Sequence, residues 1–418
     1  MTPPHPAETI DLEEILEKER VVAHFQPWVS LKRKSIVGFE GLCRGTKENS
    51  NDLISPLTLL KLAGQQNRLI SLDRLFRKKV LEGFAPAARA NPELVLSINF
   101  DTSVLNDDEK ALDDFFSTVQ RFKLKPNRIA IEILESKSND ISALRRFIEN
   151  QRKMGFLIAL DDIGAGYSNL GRIAELKPDL IKIDRSIVMG LHQNYYKQEV
   201  FKSIVKLAHS LGALLLAEGA ETEEETMQAL ELGSDMIQGY YFSRPQLMRE
   251  ELLSSCEEKI DEAGRKFKSH SVLNINLKRS RYQEYNRMVS AMSARLTAVT
   301  PKAFDDRLNL IMKDHPELDC LYILDEAGSQ ISSAICNQNY SPRESVFFKP
   351  TSRGSDHSLK DYYHYLVGTS QKDHVFVTEP YLSLTTGRLC ITLSTLFEDA
   401  YGRLNVLCVD VKPDAVSP

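Results

Sequence analysis

From Val21 to about Gln246 the chain alternates short, strand-like apolar runs with longer helical patterns, and polar or acidic residues recur where the runs end. Such alternation argues for successive βα units built on a parallel sheet. The runs are Val22–Gln26, Ile36–Glu40, Leu94–Asn99, Ile129–Ile133, Phe156–Asp161, Leu180–Ile183, Ala213–Ala217 and Met236–Gly239. Their carboxyl ends carry Glu40, Asn99, Glu132, Asp161-Asp162, Lys182, Glu218 and Gln238. In an α/β barrel of the TIM type, with about eight strands, those ends form one rim, where active sites of that fold are built. Little more than residues 28–35 separates the first two runs, too few for a crossover helix. The barrel is therefore expected to start irregularly, with an antiparallel pair.

The period of two inside each run assigns faces. Gly38, Ser97, Ala130 and Ala159 share a face with Glu40, Asn99, Glu132 and Asp161, while Phe39, Leu96, Ile98, Ile129, Ile131, Ile158 and Leu160 lie opposite. Bulky groups should face the surrounding helices and small ones the interior, leaving room for a deep site beneath the rim. Between the third and fourth runs, Leu112, Phe115, Phe116, Val119 and Phe122 fall on one helical face; Ile141, Leu144 and Ile148 mark the next helix.

Four segments follow from these patterns. Residues 1–20 are a tail with a lead-in helix, 21–247 the barrel, 248–300 a helical linker, and 301–418 a smaller α+β domain. The linker carries a possible break near Ser269–Ser271 and a stripe of Tyr285, Val289, Met292 and Leu296 suited to packing on a neighbouring domain or a second subunit. Strands in the last domain are expected at Cys320–Asp325, Ser329–Cys336, His374–Thr378, Arg388–Leu396 and Asn405–Val411.

A net charge of −5 provides no basic field for duplex nucleic acid, though a single anionic nucleotide remains compatible. No apolar run approaches the roughly eighteen residues that span a bilayer. Residues 1–14 lack the pattern of a signal peptide, so no membrane insertion and a cytoplasmic location are expected. The six cysteines are widely spaced, and reduced, mostly buried thiols are expected.

Glu40, Glu132, Asp161, Asp162 and Glu218 would repel one another in a cleft without cations. An oxygen-rich set suits Mg²⁺, Mn²⁺ or Ca²⁺, whereas zinc sites more often use His or Cys. Adjacent carboxylates at Asp161-Asp162 could serve two ions, which can activate water and neutralise a phosphodiester during in-line displacement. Lys182 beside them could orient the water or stabilise developing charge. His24 and His209 fall outside the series and read as packing residues. The run Glu221–Glu225 reads as the first turn of a helix, with Glu221 also near the rim.

The motifs that carry a family resemblance are Phe25-Gln26-Pro27, Glu40-Gly41-Leu42 with Arg44, Asn99, Glu132-Ile133-Leu134-Glu135, and Asp161-Asp162-Ile163-Gly164-Ala165-Gly166-Tyr167-Ser168. They continue as Lys182-Ile183-Asp184-Arg185, Ala217-Glu218-Gly219-Ala220-Glu221-Thr222 and Gln238-Gly239-Tyr240-Tyr241-Phe242-Ser243-Arg244-Pro245. In this order the segment from Phe25 to Pro245 resembles the EAL-domain phosphodiesterases, which hydrolyse cyclic di-GMP to linear pGpG. The resemblance implies metal ligation by Glu40, Asn99, Glu132, Asp161, Asp162 and Glu218, with Glu40, Lys182 and Glu218 as the catalytic set. It implies substrate contacts from Gln26, Leu42, Arg44, Asn99, Asp184 and Gln238, and anchoring of the 163–170 loop by Glu135. Two Mg²⁺ or Mn²⁺ ions, Ca²⁺ as a bound inhibitor, and a homodimer belong to the same implication. The chain departs from the family pattern at Gly41 (usually Ala), Ile163 (commonly Phe) and Ala165 (commonly Thr). The last two keep open a receptor that binds cyclic di-GMP without useful turnover.

Glu379-Pro380-Tyr381, Gly387, Ile391-Thr392, Gly402 and Val409-Asp410-Val411 resemble the closing strands of PAS-like domains of the Cache type, with Lys360-Asp361-Tyr362-Tyr363 where such domains place ligand-contacting aromatics. A small-molecule sensor and a ligand-free packing or dimerisation module are both consistent with that resemblance.

Overall fold

The computed structural model describes residues 10–47, 52–100, 110–134, 141–166, 170–337, 351–369, 375–383 and 385–413. Two compact units divide the chain, residues 1–271 and 272–418. In the first, β1 (Val21–Ser30), β2 (Ser35–Thr46), β4 (Val95–Phe100), β5 (Ile129–Leu134), β6 (Leu157–Ile163), β7 (Leu180–Ile183), β8 (Leu214–Ala217) and β9 (Met236–Ile237) close into a barrel, and β3 (Leu53–Ile54) extends the edge of β2. As the short first connection requires, β1 runs antiparallel to both β2 and β9, while the remaining barrel pairs are parallel. Helices α1 (Leu12–Glu17), α2 (Pro56–Gln65), α3 (Leu69–Ala90), α4 (Lys110–Arg121), α5 (Ile141–Lys153), α6 (Leu170–Leu176), α7 (Arg185–Val188), α8 (Tyr195–Ser210) and α9 (Glu223–Glu231) complete this unit with the start of α10 (Glu250–Ala294).

The outward strand faces form the main core. Phe39, Leu96, Ile98, Ile131 and Leu160 pack with Leu81 and Phe84 of α3, Phe115 and Val119 of α4, and Leu144 and Ile148 of α5. The side chain of Leu112 lies outside the description. The inward face differs from the sequence reading in one respect. The space beside Gly38, Ala130 and Ala159 is not left open. Trp28, the chain's only tryptophan, enters it from β1 opposite Gly38 and packs with Ala130, Ala159, Leu180, Leu216 and Met236. The small residues make room for one large ring, and the open site begins only above it.

Gly41 sits on the outward face, where an added Cβ would lie 2.2 Å from Val80 Cγ1 of α3. The β-branched Val80 is stiff at χ1 and cannot swing aside. Gly41→Ala, which restores the commoner family residue, should therefore destabilise the chain by about 1–3 kcal/mol. Urea unfolding of Gly41→Ala alone and with Val80→Ala measures this. An undiminished cost in the double variant would discard the steric explanation.

Helix α10 spans 45 residues without interruption. The break expected near Ser269–Ser271 is absent because serine is tolerated within a helix when its hydroxyl bonds back, as Ser269 Oγ does to Arg265 O at 3.2 Å. Within the second unit, Val289 and Met292 of this helix and Leu296 of the turn after it pack with α11 (Phe304–Asp314) against a sheet, and Tyr285 borders the cluster. Domain packing thus accounts for the stripe. The sheet comprises β10 (Leu318–Asp325), β11 (Ile335–Cys336), β12 (Phe376–Val377), β13 (Tyr381–Leu382), β14 (Leu389–Glu398) and β15 (Leu404–Val411), with α12 (Asp361–Thr369) beside it. The strand expected at Ser329–Cys336 forms only as isolated bridges at Ser329 and Gln330 and as the two residues of β11.

The thiol reading is also corrected. Cys320 and Cys336 face each other across β10 and β11 and are joined by a disulfide, while Cys43, Cys256, Cys390 and Cys408 are free and buried. Their spacing carried no pairing signal; the strand register created the pair.

Candidate active site

Barrel register gathers the rim residues by construction. Gln26 is opposite Glu40 on β1 and β2, and Asn99 is opposite Glu132 on β4 and β5. Lys182 lies at the centre, projecting inward two residues beyond Leu180 of the interior cluster. Its side chain is 1% exposed, with Nζ 2.7 Å from Glu132 Oε1, 2.7 Å from Glu218 Oε1, 3.1 Å from Asp161 Oδ1 and 3.7 Å from Glu40 Oε2.

A second layer of amides orients Glu40. Gln238 Nε2 donates to Glu40 Oε2 at 2.6 Å and to Gln26 Oε1 at 3.0 Å, Asn99 Nδ2 donates to Glu40 Oε1 at 3.2 Å, and Gln26 Nε2 donates to Ser243 O at 3.1 Å. Asp162 takes a left-handed backbone (φ 57°), a conformation Asp tolerates better than most residues, and its N–H donates to Asp161 Oδ1 at 3.0 Å. That turn keeps the second carboxylate beside the first.

Burial opposes charge throughout this cluster. It works against the Lys182 ammonium, but the surrounding carboxylates outweigh it and hold the lysine pKa well above its ordinary value. Burial pushes Glu132 and Glu218 well above the usual carboxylate range, with Lys182 only partly offsetting it. Asp162 is raised by burial and by Asp161 and Asp184. One lysine is thus too little positive charge for the group.

A divalent cation fits what is left over. Oxygens of Asp161, Asp162 and Glu218 lie within 4.8 Å of one another. Glu132 Oε2 is buried and has no hydrogen-bond partner among the described residues, while Oε1 meets Lys182 as a charge contact outside hydrogen-bonding alignment. An all-oxygen set with buried, unsatisfied lone pairs suits Mg²⁺, Mn²⁺ or Ca²⁺.

Substrate-contact expectations separate into groups. Gln26 and Gln238 join Glu40 and Glu218 around a cavity of about 190 Å³, which also takes in Arg185, Glu221 and Tyr240. Leu42, Arg44 and Asn99 line a separate, more apolar cavity of about 260 Å³ with Leu60 and Phe76. Arg44 Nη1 donates to Cys43 O at 2.8 Å. Asp184 caps α7, accepting from Ser186 N at 2.9 Å. Glu135 and residues 167–169 lie outside the described residues. Ile163 is fully buried in the core at the end of β6. His24 lies opposite Leu42 across β1 and β2, and His209 meets Asp235 at 2.8 Å. The sequence motifs contained Arg185 and Tyr240 but gave them no role; Arg185 pairs with Glu221 at 3.0 Å, and Tyr240 lies beneath Arg244 at 4.3 Å. Their place just beyond Asp184 and Gln238 was the available signal.

Residues 10–245, more than half of the chain, match the family model described as the EAL domain. The chain belongs to the EAL-domain family. Among EAL relatives, the Escherichia coli protein named probable cyclic di-GMP phosphodiesterase PdeB is 32% identical over 247 residues, which cover 59% of this chain and 46% of PdeB. The chain thus spans about half the length of that relative. The EAL-domain containing protein YkuI of Bacillus subtilis is 24% identical over 389 residues, covering 91% of this chain and 92% of YkuI. The crystal structure of YkuI, in complex with substrate c-di-GMP and calcium, covers 97% of this chain and 100% of its own with a TM-score of 0.80 at 23% identity, and so shares the fold from end to end. Klebsiella pneumoniae BlrP1, solved with manganese and cyclic di-GMP, covers 55% of this chain and 56% of its own, with a TM-score of 0.50 at 27% identity. Among the described residues, no helix is long and apolar enough to cross a membrane.

Proposed function

We propose that this EAL protein hydrolyses cyclic di-GMP to linear pGpG in a reaction dependent on two Mg²⁺ or Mn²⁺ ions, and that its C-terminal domain regulates the reaction. The observation that carries the reading is the buried carboxylate cluster whose charge Lys182 alone does not balance. The relative named as a phosphodiesterase and the neighbours solved with cyclic di-GMP and calcium or manganese support it.

Bound divalent cations would activate water and screen the phosphodiester. Glu132, Asp161, Asp162 and Glu218 would hold them, with Glu40 and Asn99 completing the set. In the hydrolysis, the water oxygen bonds to phosphorus, the P–O3′ bond breaks, and the 3′ oxygen leaves with a proton. Lys182 Nζ, fixed by carboxylates on separate strands, would orient the water and stabilise charge developing on the phosphoryl oxygens. Gln238 would keep Glu40 in its working rotamer. Arg44, released from Cys43 O, would suit a phosphate oxygen, and the apolar wall beside Leu42 a guanine face.

Product analysis of cyclic di-GMP incubated with the purified chain tests the reading. Linear pGpG should form with Mg²⁺ or Mn²⁺ and vanish with chelator; Ca²⁺ should bind and suppress turnover. Glu40→Gln should lower turnover by about 10²–10³-fold. Tight cyclic di-GMP binding with no product under any metal would replace the enzyme by a receptor.

A further inference from the structure

Helix α3 gathers cations on one face. Arg77 and Lys78 follow Arg74 by three and four residues, the spacing that brings side chains together on a helix. With Arg121, from the last turn of α4, they line a cavity of about 370 Å³. That volume falls within the roughly 300–1,000 Å³ typical of ligand pockets. It shares no lining residue with the cavity that takes in Glu40 and Glu218. The apolar contacts of α3 are made elsewhere, by Leu72, Val80, Leu81 and Phe84, so packing of the helix does not call for the cations.

The charge at this cavity is one-sided. Among the described lining residues Glu19 is the only acid. It is already matched twice, by Lys78 and by Lys79, whose Nζ lies 2.9 Å from Glu19 Oε2, and both lysines hold its carboxyl below the ordinary value. Arg77 is fixed from behind. Its side chain is 4% exposed, Nη2 lies 2.7 Å from Asp73 Oδ2, and Cζ stands 4.6 Å from the Phe100 ring and 5.3 Å from that of Phe115. Asp73 borders the cavity of Leu42 and Arg44 and not this one. A chain of net charge −5 thus concentrates four cationic side chains around one hollow. Like charges so close repel one another unless an anion joins them.

We infer that this cavity binds a small phosphate-type polyanion, a diphosphate group, held by the planar forks of Arg74 and Arg121 with Lys78 and the buried Arg77 adding charge. The chemistry is selective. A divalent metal would meet four like charges, and a neutral ligand would leave them facing one another. Duplex nucleic acid needs a basic stripe along a surface rather than one hollow. A diphosphate presents oxygens on two phosphorus atoms, enough to engage more than one guanidinium in bidentate fashion.

The test is titration calorimetry of the full chain, freed of metal so that no bound cation carries an anion to the rim. Pyrophosphate should bind one per chain and at least about tenfold more tightly than inorganic phosphate, with acetate inert. Arg74→Gln and Arg121→Gln should each weaken pyrophosphate by about tenfold or more. Glu19→Gln, which removes the one acid, should tighten it several-fold. Arg145→Gln, an exposed cation of α5 paired with Glu149, should leave it unchanged. ADP binding more tightly than pyrophosphate makes the ligand a nucleotide, and ADP binding equally or less tightly makes it a free diphosphate; either result supports the site. No pyrophosphate binding, an undiminished affinity in the Arg74→Gln, Arg121→Gln double variant, or an equal loss in Arg145→Gln overturns it. If the double variant fails to fold, Glu19→Gln decides, and an affinity unchanged or weakened there overturns the assignment equally. No residue of the carboxylate cluster is involved, so this reading and the hydrolysis can fail independently.

Discussion

Lys182→Met should lower cyclic di-GMP turnover by at least about 10³-fold and destabilise the metal-free chain by about 3–5 kcal/mol. Both effects come from one atom. Nζ lies within 3.1 Å of oxygens on Glu132, Asp161 and Glu218 and 3.7 Å from Glu40, and methionine keeps most of the volume while removing the charge. Carboxylates already pushed toward protonation by burial would then face one another with no internal cation. Breaking a buried ion pair from one side leaves the other side uncompensated. Chemical denaturation in chelator and in Mg²⁺, alongside pGpG formation, separates the two roles. Added Mg²⁺ should recover much of the stability but not the turnover, because the ions replace the lysine as counter-charge and not as a group aimed at the water. Near-normal turnover of Lys182→Met in Mg²⁺ would reduce Lys182 to a structural partner.

Gly239→Ala should cost more than about 4 kcal/mol and leave little folded protein. An ideal Cβ at Gly239 would stand 1.9 Å from Ala220 O and 2.5 Å from Ala220 N. These are backbone atoms in use: Ala220 N donates to Gln238 O at 3.2 Å and Ala220 O accepts from Tyr241 N at 3.1 Å. Neither can move without opening the rim. Any fraction that folds should also lose activity, since Gln238 next door holds Glu40. Gly64→Ala is the control: Gly64 lies near the end of α2, nothing approaches its Cβ within 4 Å, and the change should be neutral or stabilising by about 0.5–1 kcal/mol. A urea midpoint for Gly239→Ala equal to wild type would show that the two segments separate more easily than their contact implies.

The barrel and the rim were legible because each is encoded locally. A strand announces itself by its apolar run and its inner face by alternation, and Glu40, Asn99, Glu132, Asp161 and Lys182 stand at fixed places on those faces. Even the antiparallel start could be read, from the shortness of residues 28–35. The resemblance also set Tyr362 among ligand-contacting aromatics and Asp410 on a closing strand. It did not indicate that they face the same buried polar surface, because that depends on which strands become neighbours.

What the chain determines by itself is therefore one-dimensional: the order of strands and helices, the residue type at each strand end, and the excess of carboxylates that calls for cations. The tertiary structure decided everything that needs two distant segments at once. Trp28 fills the space beside Gly38, Ala130 and Ala159; Val80 crowds the place where a Cβ at Gly41 would stand; the register of β10 and β11 joins Cys320 to Cys336; Arg185 and Tyr240 enter the rim. Side-chain periodicity states which face a residue takes but not what it meets there. Packing at near-crystalline density settles that only when the whole chain has closed.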